Sequence, residues 1–223
     1  QNSMQVEVLC VLDQKIFTAD LPDQSLPSAF HELLEYAVLA SEITPHDPME
    51  KAFHLLADKQ LHYENRRDLR WALAREYELS PQLLAMTHLW RLENTPHDLV
   101  AAKGAPEAVV SLCHLPPEQE LEILQQAELL ANRGLRVLAV AKAFHLADEC
   151  WPESQHTFDF EWLGLIALAD PLRAEVPSAV EQCHKAGIRV IMITGDHPRT
   201  ALAIATQAGI TTTGVLTGDE MAV

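Results

Sequence analysis

Apolar and polar residues alternate from Met4 to Phe17, a pattern that predicts one strand or a hairpin. Helical spacing follows. Phe30, Leu33, Leu34, Ala37 and Val38 fall on one face of a helix running to about Ser41, with Ser28 as its expected N-cap. Pro45-His46-Asp47-Pro48 interrupts the pattern and opens a second helix from Pro48 to about Leu61. Strands are predicted over Trp71 to Tyr77, Leu84 to Arg91 and Leu99 to Lys103. Pro106 opens a short helix to Cys113, and Pro117 a longer one to Asn132, which Gly134 closes. Arg136 to Phe144 reads as another strand.

Residues 145–157 break this rhythm and read as a linker. Beyond them the period changes regularly. Phe158 to Ala169 is predicted as a strand, Val176 to Ala186 as a helix and Arg189 to Ile193 as a buried strand. Pro198 to Ala208 is predicted as a helix and Val215-Leu216 as a short strand. Such a succession is the mark of a parallel sheet with helical crossovers. The chain is therefore expected to be α/β overall. An α+β unit with an antiparallel sheet over about residues 8–150 precedes part of a doubly wound, Rossmann-like unit.

The 223 residues are long enough to bury a sizeable core. A formal charge of −16 argues against nucleic acid or an anionic membrane surface as a direct partner. Cys10, Cys113, Cys150 and Cys183 are scattered, as in a reducing compartment, and no apolar run is long enough to span a bilayer. Both ends read as cuts within a longer chain. The eleven histidines show no spacing at which ligands would converge, so no metal site is expected.

The strongest chemical signal is Met192-Ile193-Thr194-Gly195-Asp196-His197-Pro198. An apolar strand that stops at Thr-Gly-Asp and turns into a helix forms a phosphate cradle. Glycine admits close backbone approach, the helix start offers N–H groups, and threonine adds a hydroxyl. Two further motifs precede it, Lys103-Gly104-Ala105-Pro106-Glu107 and Asp170-Pro171-Leu172-Arg173. Together the three resemble the cytoplasmic head of a P-type cation-transporting ATPase.

The resemblance implies a nucleotide-binding domain at residues 8–150, inserted into a haloacid-dehalogenase-like phosphorylation domain to which residues 1–7 and 151–223 belong. It implies ATP and magnesium as cofactors and the remaining domains of the same polypeptide as partners. It implies a cytoplasmic portion of a membrane protein, with calcium the first candidate cation. In the family, an aspartate in a D-K-T-G-T-L-T motif takes the γ-phosphoryl group. That motif and the later G-D-G-x-N-D segment are both absent from this sequence, so the 223 residues alone are expected to bind nucleotide without turning it over.

By the same resemblance, Lys103 and Gly104 line the nucleotide pocket, Glu50 in Asp47-Pro48-Met49-Glu50 sits near the adenine, and Arg136 approaches the phosphates. Leu79, Pro81 and Leu84 stand where many calcium pumps carry an aromatic and two basic residues. This leaves Tyr77 as a substitute ring, with core packing as its alternative role. The alternative for Glu50 is stabilisation of its own helix start. Thr194 and Gly195 would hold the transferring phosphoryl group, while Asp170, Arg173 and Asp196 order nucleotide and loops. A soluble phosphatase with a large cap domain and a nucleotide-binding module without chemistry are the competing functional readings.

Overall fold

The structure, a computed structural model, describes residues 4–11, 14–18, 21, 26–61, 71–93, 95–170, 172–173, 175–195, 198–211 and 215–217. Seven strands form one antiparallel sheet: β1 (Gln5–Val11), β2 (Gln14–Phe17), β3 (Trp71–Tyr77), β4 (Ala85–Leu92), β5 (His97–Gly104), β6 (Arg136–Leu146) and β7 (Glu161–Ala169). Their order across the sheet is β2-β1-β7-β6-β5-β4-β3. The helices are α1 (His31–Leu39), α2 (Pro48–Gln60), α3 (Pro106–Cys113), α4 (Pro117–Ala131), α5 (Val176–Lys185) and α6 (Pro198–Gln207).

Alternation along the strands divides the core into two layers. Leu9, Ala101, Val140 and Ile166 pack with Leu33, Leu34 and Phe53 of α1 and α2. Val8, Val100, Ala102 and Leu165 point the other way and pack with Val109, Leu112 and Leu130 of α3 and α4. The antiparallel sheet with helices agrees with the predicted α+β architecture.

Helix starts follow local chemistry closely. The Asp47 carboxylate accepts from the N–H groups of Met49 (2.7 Å) and Glu50 (3.3 Å), and Pro48 occupies the first turn, where its missing N–H costs nothing. Ser28 does not cap α1. It opens a 3₁₀ turn, Ser28–Phe30, and no side chain caps the helix that follows. Gly134 has φ +84°, and its N–H bonds to the Ala131 carbonyl at 2.9 Å, turning the chain out of α4 into β6.

Two expectations change. The expected linker at 145–157 is neither loose nor wholly irregular. β6 extends to Leu146, paired with His97, and the segment beyond it is bound to the sheet. Tyr77 donates to the Pro152 carbonyl (2.6 Å), Thr87 to Gln155 Oε1 (2.6 Å) and the Trp151 indole to Asp98 (3.2 Å), while Phe158 and Phe160 enter the core. The second change concerns β7, expected as a parallel strand. It runs antiparallel between β1 and β6.

A division at residue 150 would therefore separate hydrogen-bonded neighbours, and one at residue 7 would cut through β1. With both edges of β7 occupied, Arg189 to Ile193 has no place beside it, and these residues join no strand ladder among the described residues. Val215-Leu216 joins none either. The helices α5 and α6 form where predicted.

Candidate functional site

Lys103 lies near the end of β5, opposite Met86 on β4 and Val140 on β6. It shares the face of Ala101, which turns towards α1 and α2. Only 6% of Lys103 is exposed. Its ammonium forms an ion pair with Glu50 Oε1, donates to Ser41 Oγ at 2.7 Å and lies 5.9 Å from the centre of the Phe53 ring. Burial pulls the lysine pKa below its ordinary value, while Glu50, Asp47 and Glu42 act against that shift.

Glu50 is 7% exposed. The cap at Asp47 fixes the first turn of α2 and so aims the Glu50 carboxylate inward. One of its oxygens takes Lys103, and the other accepts from the Glu42 N–H at 3.2 Å. These partners lie outside α2, so the carboxylate does more than stabilise its own helix start. Arg136, the first residue of β6, places Nη1 3.6 Å from Met49 Sδ in the same turn of α2. The structure thus gathers Lys103, Glu50 and Arg136 around one helix start.

Tyr77 and Gly104 stand differently. The Tyr77 ring is on the opposite face, edge-on to Phe158 at 5.6 Å, with its hydroxyl bound to Pro152, so it does not join Lys103. A Cβ on Gly104 would lie 2.3 Å from the Leu84 carbonyl oxygen and 2.6 Å from Ala85 Cα. Close approach of β4 is what this position demands.

The second group of expected residues is open to solvent. Asp170 follows β7 directly and is exposed, as is Arg173. Thr194 and Gly195 are exposed in the stretch leading to α6. Asp196, like Pro171, lies outside the described residues. α6 docks on the end of α4 and the turn that follows it. Arg199 pairs with Glu128 and donates to Asn132 Oδ1 (3.2 Å), and Thr200 donates to the Leu135 carbonyl (3.3 Å). A cavity of about 400 Å³, lined by Pro106, Glu107, Ala127, Arg136, Arg199 and Thr200 among others, lies between α3, α4, β6 and α6.

Ser41, His88 and Trp90 were not singled out from the sequence, yet they support Lys103. The signal was available in part. Met86, His88 and Trp90 alternate along β4 and must share the face of Ala101 and Lys103. Ser41 gave no such signal, because its contact with Lys103 spans 62 residues of sequence.

An ammonium, a carboxylate and a hydroxyl side by side offer donors and acceptors with little net charge. Arg136 adds a positive charge at the same turn of α2. Among the described residues no group of three or more His, Cys, Asp or Glu side chains converges to hold a metal. No helix there is long and apolar enough to cross a membrane.

Residues 100–221, more than half the chain, match the haloacid dehalogenase-like hydrolase family. The chain is 38% identical over 175 residues to the sodium/potassium exporting P-type ATPase cta3 of Schizosaccharomyces pombe, covering 74% of this chain and 17% of that protein. It is 36% identical over 193 residues to the probable cation-transporting ATPase F of Mycobacterium bovis, covering 79% of this chain and 21% of that protein. It therefore spans about a fifth of the length of these relatives. The chain belongs to the haloacid dehalogenase-like hydrolase family and is homologous to segments of cation-transporting P-type ATPases.

Proposed function

We propose that this chain is the ATP-binding cytoplasmic part of a P-type ATPase that couples hydrolysis, through an aspartyl-phosphate, to cation transport. The observation that supports this reading best is the buried Lys103–Glu50 pair, with Ser41 beside it and Arg136 at the same turn of α2. Burying two charges is costly and adds little stability that well-packed apolar residues would not supply. A binding role explains why they stand there. The base of ATP meets Glu50, Ser41 and Lys103, and the phosphates extend towards Arg136. Tyr77 and Gly104 have structural roles in this reading.

Thr194, Gly195, Asp170, Arg173 and Asp196 would serve the phosphoryl group in the whole enzyme, where magnesium supplies charge neutralisation. The 223 residues contain no D-K-T-G-T motif, and the chain alone binds ATP without turnover. The two functional units divide near Asp170, because β7 belongs to the sheet that carries Lys103. Calcium is the first candidate for the cation, as the K-G-A-P-E and D-P-x-R motifs suggest.

The test is ATP titration by calorimetry, with a double variant Glu50→Gln/Lys103→Gln. The double change keeps the side-chain volumes and leaves no orphaned charge, so the fold survives where a single change endangers it. Saturable wild-type binding, absent from a folded double variant, is the expected result. Equal binding by both proteins would overturn the assignment of this site.

A further inference from the structure

His88 and Ser41 are assigned no role by the family resemblance, yet both hydrogen-bond the last turn of α1, and Ser41 also accepts from Lys103. Ser41 Oγ accepts from the Lys103 ammonium at 2.7 Å and donates to the Ala37 carbonyl at 2.7 Å. It is held in place by the end of α1. The Leu39 carbonyl there takes two ring donors from β4, His88 Nδ1 at 3.1 Å and the Trp90 indole N–H at 2.8 Å. The route runs from β4 through the last turn of α1 to Ser41, and from Ser41 to the ammonium.

We infer that His88 is a positioning residue for nucleotide binding, fixing the end of α1 so that Ser41 holds the Lys103 ammonium beside Glu50. This inference rests on the ATP-binding reading of that site.

The geometry sets the tautomer. A carbonyl oxygen only accepts, so Nδ1 carries the proton and Nε2 of the neutral ring is a bare acceptor. The ring is 1% exposed. The charged groups acting on it are Lys103 on β5, Glu76 on β3, whose Oε1 is 3.9 Å from Nε2, and Glu50 on α2. Burial and the Lys103 charge favour the neutral ring, and together they outweigh the two carboxylates. Acidification that protonates His88 puts a second positive charge in the environment of the ammonium and disturbs its setting.

Substitutions separate positioning from bulk. Asparagine places its amide nitrogen where Nδ1 stands and cannot titrate, whereas glutamine reaches towards the Nε2 position, and leucine fills space without donating. ATP affinity of the full 223-residue chain is measured by calorimetry from pH 5 to 8, with thermal melts as the check on folding. His88→Leu and His88→Gln are expected to bind ATP roughly tenfold more weakly at neutral pH, the factor that follows from one lost hydrogen bond. His88→Asn is expected to restore affinity and to abolish its decline in acid. Ser41→Ala, a milder change, should reproduce the loss if His88→Leu does not fold.

A second readout needs no nucleotide. Titration of the Lys103 side chain by NMR should show its pKa falling further below the ordinary lysine range in His88→Leu and Ser41→Ala, because the charged ammonium loses an acceptor, and unchanged in His88→Asn. Wild-type affinity and an unmoved lysine in a folded His88→Leu would overturn the inference, as would an unmoved lysine in Ser41→Ala. If wild-type protein fails to bind ATP while the lysine responds as described, the positioning role stands and the nucleotide reading falls.

Discussion

Two apolar stretches meet solvent in opposite ways. Leu163, Leu165, Ile166 and Leu168 of β7 are buried between two helical layers, with β1 and β6 on either side. Ile191 and Ile193 belong to a run just as apolar, yet they are 66% and 94% exposed and join no ladder among the described residues. Side-chain character is the same in both. What differs is a vacant sheet edge. A strand needs neighbours to receive its N–H and C=O groups and a layer to cover its face. β7 has both, whereas the edges that could have received residues 189–193 beside it are taken.

The same contrast separates the two sets of candidate site residues. Lys103 and Glu50 lie within a network anchored on β4, α1 and α2. Thr194, Gly195, Asp170 and Arg173 are exposed. The largest expected effect tests this difference directly. Lys103→Met leaves the Glu50 carboxylate buried without its counter-charge and should cost about 3–5 kcal/mol in urea unfolding. Thr194→Ala should stay within about 0.5 kcal/mol of wild type. Similar losses for the two variants would erase the distinction.

The apolar stretches can be compared by truncation. Ile166→Ala, at a fully buried position, is expected to lose about 2–5 kcal/mol. Ile193→Ala should change unfolding free energy by no more than about 0.5 kcal/mol. A large loss at Ile193 would mean that this run is covered in solution. A smaller effect, about 1–3 kcal/mol, is expected for Gly104→Ala, because the added methyl meets β4 backbone rather than a movable side chain. Its thermal midpoint, compared with that of Gly195→Ala, where a Cβ meets nothing within 4 Å, provides the measurement.

The mildest prediction concerns acid. His88 is held below its ordinary pKa chiefly by burial, so the unfolded chain binds that proton more readily. Its contribution is complete above about pH 6.5, the unfolded value, and is lost as pH falls towards the lower folded value. Asp98 behaves alike at lower pH. Burial alone would raise its pKa, but hydrogen bonds from Arg91 and Trp151 and the charges of Arg91 and His145 bring it below the ordinary value. That stability is present above about pH 3.9 and disappears on further acidification. Urea unfolding across this range should show two declining limbs, and His88→Asn should remove only the first.

Elements bounded by proline or a side-chain cap were the most legible in the sequence. α3 was expected and found over Pro106 to Cys113, and α2 starts at Pro48 under the Asp47 cap. β3 coincides with its predicted span, Trp71 to Tyr77. At the candidate site, Lys103, Glu50 and Arg136 were legible through motifs, and the structure brings them together. Tyr77 was placed by its aromatic character, and its packing edge-on to Phe158 in the other layer sets it apart. The segment after β6 looked like a linker because its polar residues hid its anchors. Trp151, Pro152 and Gln155 bind partners 53 to 75 residues away in the sheet and Phe158 packs into the core it covers, and such pairings leave no periodic trace.

Local sequence decided where the proline-opened helices begin, which strand positions are apolar, and which motif residues carry charge, because each depends on neighbours within a few positions. Tertiary structure alone decided that β7 joins an antiparallel sheet, that residues 189–193 stay outside it, and that Ser41 and His88 stand behind Lys103. These outcomes depend on which edges and faces are already occupied when distant segments meet, and no local pattern of residues encodes that competition.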